Sequence, residues 1–172
     1  MIDSFVQNDI LNALWTYWVS KHGDSGLPRR RDIDPTEIPR LLPHLQLVDR
    51  VEPDHRFRYR LCGTAIAEAY GRELTGHLVE EVIPEQRRAI ALQHYRLALE
   101  EARPIFARTQ YLSRMGAELI ASRLILPLAD DAGEPHMLLI GQTCEFHSEI
   151  AAQLGSATAV DDYVKKIELL MP

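Results

Sequence analysis

Residues 56–62, RFRYRLC, alternate strictly between two kinds of side chain. Phe57, Tyr59 and Leu61 fall on one side of an extended chain, and Arg56, Arg58 and Arg60 on the other. Side chains of a β-strand point alternately to its two faces, so this run specifies a half-buried antiparallel strand, one face in a core and one in water. Gly63 and Thr64 turn the chain at once into a short helix, predicted over 65–70. Gly71 stops that helix, as a glycine just past a C-terminus does. A further glycine, Gly76, precedes a short apolar piece ending at Pro84.

The remaining elements are read around this segment. Residues 8–22 predict an amphipathic helix, with Asn8 as N-cap and Leu11, Leu14, Trp15 and Trp18 at three- and four-residue spacing. A break follows from Gly23 to Pro28. Asp34-Pro35 marks a second helix start, with Asp34 as N-cap and Glu37 at the third position, which Pro39 and Pro43 keep short. A strand at 44–51 pairs with 56–62 as a hairpin. A long helix spans 85–102 with Ala91, Tyr95, Ala98 and Ala102 as its apolar stripe, flanked by Leu92 and Leu99; Pro104 ends it. Strands are predicted at 105–112, 117–128 and 136–146, with turns at 114–116 and 130–134. A C-terminal helix is predicted over 157–171, its stripe being Val160, Tyr163, Val164, Ile167, Leu170 and Met171.

These elements define an α+β fold: a five-stranded antiparallel sheet with helices inserted between strands two and three, and flanking helices at both ends. The expected organisation is one domain, with an N-terminal helix and Pro-rich connector over 1–43, the core over 44–146 and the C-terminal helix over 147–172. One sheet face is expected beneath the inserted helices. The other is expected beneath the N-terminal helix or a second chain.

Composition excludes several classes. A chain of 172 residues buries enough surface to need no staples. A net charge of −6 argues against a nucleic-acid partner. The basic triplet Arg29-Arg30-Arg31 is expected to be a solvated loop. Two cysteines, Cys62 and Cys144, make no disulfide framework and are expected to be small buried hydrophobes. The seven histidines are scattered without metal-ligand spacing. No secretory leader and no apolar stretch approaching roughly 20 residues is read in the chain, so the expected location is the cytoplasm, with no membrane partner.

The segment GTAIAEAYGRELTGHLVEEVIP, set between an alternating strand and a long helix followed by three strands, resembles the PAS domain family, over 44–146 and best over 57–84. The whole chain also resembles a narrower bacterial group of single-domain PAS-like proteins of unassigned function. Trp15, Trp18, Asp32, Asp34, Pro35, Leu42 and Pro43 carry that likeness. The resemblance implies a sensor that detects a ligand, a redox state or a partner. No kinase, GGDEF-like or helix-turn-helix segment is read beside it, so the expected action is binding a signalling protein, dimerising as a homodimer, or both.

The resemblance places a pocket between the inner sheet face and the inserted helices, with Tyr59, Leu61, Tyr70, Tyr95, Tyr111 and Arg123 as candidate liners. Several phenols and one guanidinium suit a small molecule with an acidic or polar end; a core filled by the same tyrosines is the competing arrangement. Leu11, Trp15 and Trp18 are candidate interface residues, since aromatic pairs anchor interfaces. Val160, Val164, Ile167 and Met171 are candidates for the same use. The cofactor is left open. The resemblance also implies an alternative, a haem-based redox or gas sensor through His94. Photoactive flavin binding is not expected, because no Asn-Cys-Arg-like run follows the short helix. There is no GxSxG elbow or phosphate-cradling loop, so no enzyme is expected. Glu80 and Glu81 are adjacent and diverge, which reads as surface. A small α+β lyase or isomerase using Asp49 and Tyr59 is the remaining alternative.

Overall fold

One antiparallel sheet is built from β1 (Leu45–Val51), β2 (Arg56–Cys62), β3 (Ile105–Leu112), β4 (Glu118–Ala129) and β5 (Pro135–Phe146), in the order β2-β1-β5-β4-β3. The structure, a computed structural model, describes residues 8–23, 26–112, 118–146 and 163–166. Helices α1 (Asp9–Ser20), α2 (Thr64–Tyr70), α3 (Val79–Val82) and α4 (Glu85–Glu100) complete the expected layout, the last three inserted between β2 and β3. The central strands β4 and β5 are buried on both faces, and their sequences accordingly read as long apolar runs.

Over β4 and β5 the outer face of the sheet is covered by the chain itself. Helix α1 lies over β4 and β5. Asn8 caps it, its Oδ1 accepting from the amides of Ile10 and Leu11, while its Nδ2 donates to Thr143 Oγ1 and Glu145 Oε1 on β5, all at 3.1 Å. Trp18 Nε1 donates to the Pro127 carbonyl at 3.2 Å. Gly141 makes the approach close: a Cβ there would lie 2.5 Å from Leu14 Cδ2. Leu11 and Trp18 are 0% exposed and Trp15 8%. The interface expected of these three residues is therefore corrected: their apolar stripe is used up against their own sheet, joined by Ile33, Ile38 and Leu41 from the connector. The connector holds Asp34 as expected, capping Thr36 at 2.9 Å, in a single 3₁₀ turn at Pro35–Glu37. The basic triplet is engaged locally, Arg30 with the Ile33 carbonyl and Arg31 with Asp131.

The inner face carries α2, α3 and α4. Ala91, Tyr95, Ala98 and Leu99 are the buried stripe of α4, packed with Ile66, Leu74, Val79 and Ile83 on Val48, Phe57, Ile125 and Ile140. Gly71 sits at φ 67°, and the amides of Gly71 and Arg72 donate to the carbonyls of Glu68 and Ala67, closing α2 in a Schellman turn. At Gly63 the constraint is space. A Cβ would lie 2.3 Å from the Pro43 carbonyl oxygen and 2.4 Å from that of Leu42.

Two expectations are overturned. Leu61 does not continue the inner row of β2. Leu47 pairs with Leu61 and Val48 with Tyr59, so Arg60 is an extra residue, a β-bulge that flips the alternation and turns Leu61 out to 42% exposure. The C-terminal helix is replaced over Tyr163–Lys166 by a short strand, β6, antiparallel to β3. The edge of β3 offers unpaired backbone groups, and Tyr and Val are good strand formers. Val160, Ile167, Leu170 and Met171 lie outside the described residues, as does the turn at 114–116.

Two substitutions test this packing. Trp18→Ala is expected to lower stability by about 3–5 kcal/mol in denaturant melts, with no change of oligomeric state by sedimentation. A stable monomer from an oligomeric parent would instead place α1 between chains. Gly63→Ala is expected to destabilise by about 3 kcal/mol or more, because backbone carbonyls, not a flexible side chain, must give way.

Candidate functional site: a polar cluster around Arg123

The inner sheet face is apolar toward Val48, Phe57, Ile125 and Leu138, and polar toward the other end of the same strands. Register explains the polar end. On β4 and β5, Arg123 stands opposite Gln142 and Ala121 opposite Cys144; on β1 and β2, Gln46 stands opposite Cys62. Arg123 is only 8% exposed. Its Nε donates to Gln142 Oε1 at 3.1 Å, and an Nη2 proton goes to the Tyr70 hydroxyl at 3.3 Å, tying β4 to α2. Gln142 Nε2 in turn donates to Cys144 Sγ at 3.5 Å. Among the described residues no carboxylate pairs with this guanidinium. Burial works against its charge, yet Tyr70, Tyr95, Tyr59 and Cys144 around it hold its pKa above the ordinary arginine range.

Tyr59 and Tyr95 close the cluster from β2 and α4. Both are 1% exposed, and Tyr95 also meets Phe57 edge-on at 5.5 Å. Burial pushes the Tyr59 hydroxyl well above the usual phenol range and raises Tyr95 as well, so both are neutral donors and acceptors at neutral pH. Gln46 is 1% exposed; its amide meets the Cys62 thiol but no nitrogen or oxygen partner among the described residues. Beside it the Cys62 thiol is pushed up to about 11, first by burial and then by Glu73. A buried charge without a counter-ion costs several kcal/mol, and a buried amide whose partner is a thiol, a weak donor and acceptor, is poorly satisfied. Such an end of a core can accept a ligand that supplies an anion and a donor–acceptor group.

Of the six residues expected to line a pocket, Tyr59, Tyr70, Tyr95 and Arg123 come together. Leu61 is excluded by the bulge, and the side chain of Tyr111 lies outside the described residues. Gln46, Gln142 and the two cysteines were not foreseen. Their signal is a polar residue at an inward position of a buried strand, as in LQLV and LIGQTC. Asp49 and Tyr59 share no site: Asp49 pairs with Arg58 on the outer face, while Tyr59 enters the inner core. His94 is 4% exposed and already has a partner within the fold. Glu80 pairs with Arg56, and Glu81 accepts from the Leu78 amide. Among the described residues no group of His, Cys, Asp and Glu side chains is placed to hold a metal, and no helix is long and apolar enough to cross a membrane.

The fold agrees with the comparisons. The PAS domain family model matches residues 6–142, and the chain belongs to that family, whose members are sensory modules of signal transduction. A VqmA dimer of Vibrio cholerae aligns with a TM-score of 0.54 at 12% identity, over 67% of this chain and 53% of its own. VqmA in a complex with ligand and DNA aligns with a TM-score of 0.52 at 13% identity, over 75% and 62%. A LOV protein of Rhodobacter sphaeroides aligns at 0.48 and 17% identity, over 64% of each chain. The chain spans about half the length of the first VqmA chains it matches, and the likeness is one of fold. No curated protein matches it.

The thiol gives a direct check on the cluster. Its pKa is higher folded than unfolded, so burying the neutral Cys62 adds stability below pH 9 that is lost as the pH rises from 9 through about 11. Alkylation of Cys62 by iodoacetamide at pH 8, followed by peptide mass mapping, is expected to be about a hundredfold slower in the folded chain than in urea. Equal rates would remove Cys62 from the cluster, where it and Cys144 are half-buried rather than fully buried as expected.

Proposed function

We propose that this chain is a sensory regulatory module whose polar cluster around Arg123 binds a small molecule with an acidic or polar end. The single observation that carries this is the buried guanidinium held by two neutral side chains, Gln142 and Tyr70, with no carboxylate beside it among the described residues. An incoming carboxylate supplies the missing charge in a bidentate geometry that guanidinium favours. Gln46 supplies a second point of recognition from β1. The module then acts without catalysis, in the cytoplasm, by dimerising or by engaging a signalling protein. Support for a dimer comes from the VqmA neighbour, itself described as a dimer. That neighbour also works with DNA, whereas the net charge of −6 here favours a protein partner.

Native mass spectrometry of the purified protein, beside its visible spectrum, tests the reading. The expected result is a colourless protein carrying an extra small mass that is lost on denaturation and is absent from Arg123→Met. That variant is expected to melt no lower than the ligand-free parent, since replacing an uncompensated buried charge by an apolar side chain is often neutral or stabilising. A Soret band would replace this reading with haem ligation. A bare protein that no small carboxylate stabilises in thermal melts would overturn it.

A further inference from the structure

The charged face of β2 takes no part in the inner cluster. Arg58 and Asp49 are paired in register, as are Leu61 and Leu47, which places all four on the outer face of the sheet. There α1 lies over β4 and β5, and the edge strand keeps an exposed strip formed by Arg58, Arg60 and Leu61. Arg58 Nη2 and Arg60 Nη1 reach one and the same atom, Asp49 Oδ2, at 3.4 and 3.6 Å. Oδ1 of this buried carboxylate has no partner among the described residues. Two guanidiniums thus share one negative charge, and each has five N–H donors. The two heads converge on that carboxylate while about half of each side chain stays in water, so both keep donors free for an incoming anion. The bulge at Arg60 turns Arg60 and Leu61 outward in succession. Leu42 is a second exposed leucine, and its segment touches that of Leu61 at Gly63.

We propose that this strip is a docking surface for an acidic segment of a signalling protein. The segment's carboxylates are taken by Arg58 and Arg60, and an apolar side chain beside them rests on Leu61. Direction follows from charge. At the hairpin end of β2 a cleft of about 330 Å³ is lined by the carboxylates of Glu52, Asp54 and Glu81 and by the guanidiniums of Arg56 and Arg58; three against two leave it net acidic, so the segment extends from Arg58 toward Leu61 rather than into the cleft. A nucleic acid fits less well. Its affinity comes from many phosphates neutralised together, and a surplus of one positive charge on a chain of net charge −6 does not supply that. The strip lies on the opposite sheet face from Arg123 and stands or falls apart from it.

The test is fluorescence anisotropy of the full chain with a fluorescein-labelled Glu-Glu-Leu repeat peptide, at low and at high salt. Saturable binding is expected, weakened about tenfold or more by Arg58→Glu with Arg60→Glu. Leu61→Ser is expected to weaken it severalfold, and Arg96→Glu at an exposed position of α4 to leave it unchanged. If the double Glu variant fails to fold, the triple variant Asp49→Asn, Arg58→Gln, Arg60→Gln keeps neutral hydrogen bonds among the three and is expected to lose binding equally. Absence of saturable binding overturns the proposal. So does equal loss with Arg96→Glu, or retained binding in a folded triple variant. Duplex DNA displacing the peptide at lower concentration than unlabelled peptide does would also overturn it, in favour of a nucleic acid.

Discussion

Both faces of β4 and β5 are dry, and everything else in the molecule follows from supplying two covers. Leu124, Leu126 and Leu128 need one cover while Ile125 and Arg123 need another. The chain solves this with its own N-terminus on one side and the insertion between β2 and β3 on the other. At roughly 25 cal/mol per Å² of apolar surface removed from water, neither cover is dispensable. The tight junctions serve those covers. Gly141 lets α1 settle onto β5, and Gly63 lets the start of α2 pass beneath the carbonyls of Leu42 and Pro43.

Most of this was legible because it rests on local periodicity. The Asn8 cap, the stripe of α1, the five strands and the glycine stop at Gly71 are each signalled within a few residues. What was not legible depends on partners distant in sequence. Nothing within RFRYRLC says that Arg60 is bulged, since the alternation is perfect on paper and the extra residue exists only relative to β1. Nothing within the α1 stripe says whether its tryptophans meet the same chain or another; burial against β4 and β5 decides it. The C-terminal residues carry a helical stripe, yet Tyr163–Lys166 answers the open edge of β3 instead. In the site, tyrosines and arginine stood out by type, while Gln46 and Gln142 are ordinary residues made unusual by burial alone.

Two groups of arginines stand in contrasting settings. Arg123 is desolvated, held by neutral groups and screened from salt, so its field acts only on what enters the core. Arg58 and Arg60 are wet, share a carboxylate and act at the surface, where salt weakens them. One setting suits selection among small molecules and the other suits recognition of a protein. The fold keeps the two on opposite faces of a single sheet.

Residues 142–145 of β5 bring those faces within one peptide of each other. Gln142 points inward and holds Arg123, while Thr143 and Glu145 receive the Asn8 amide that begins α1. A backbone cannot shift at one residue and leave the next behind. An occupant that moved the β5 backbone at Gln142, and not its side chain alone, would also move the acceptors of the Asn8 amide; linkage would then make the first turn of α1 and affinity in the core change each other by the same factor.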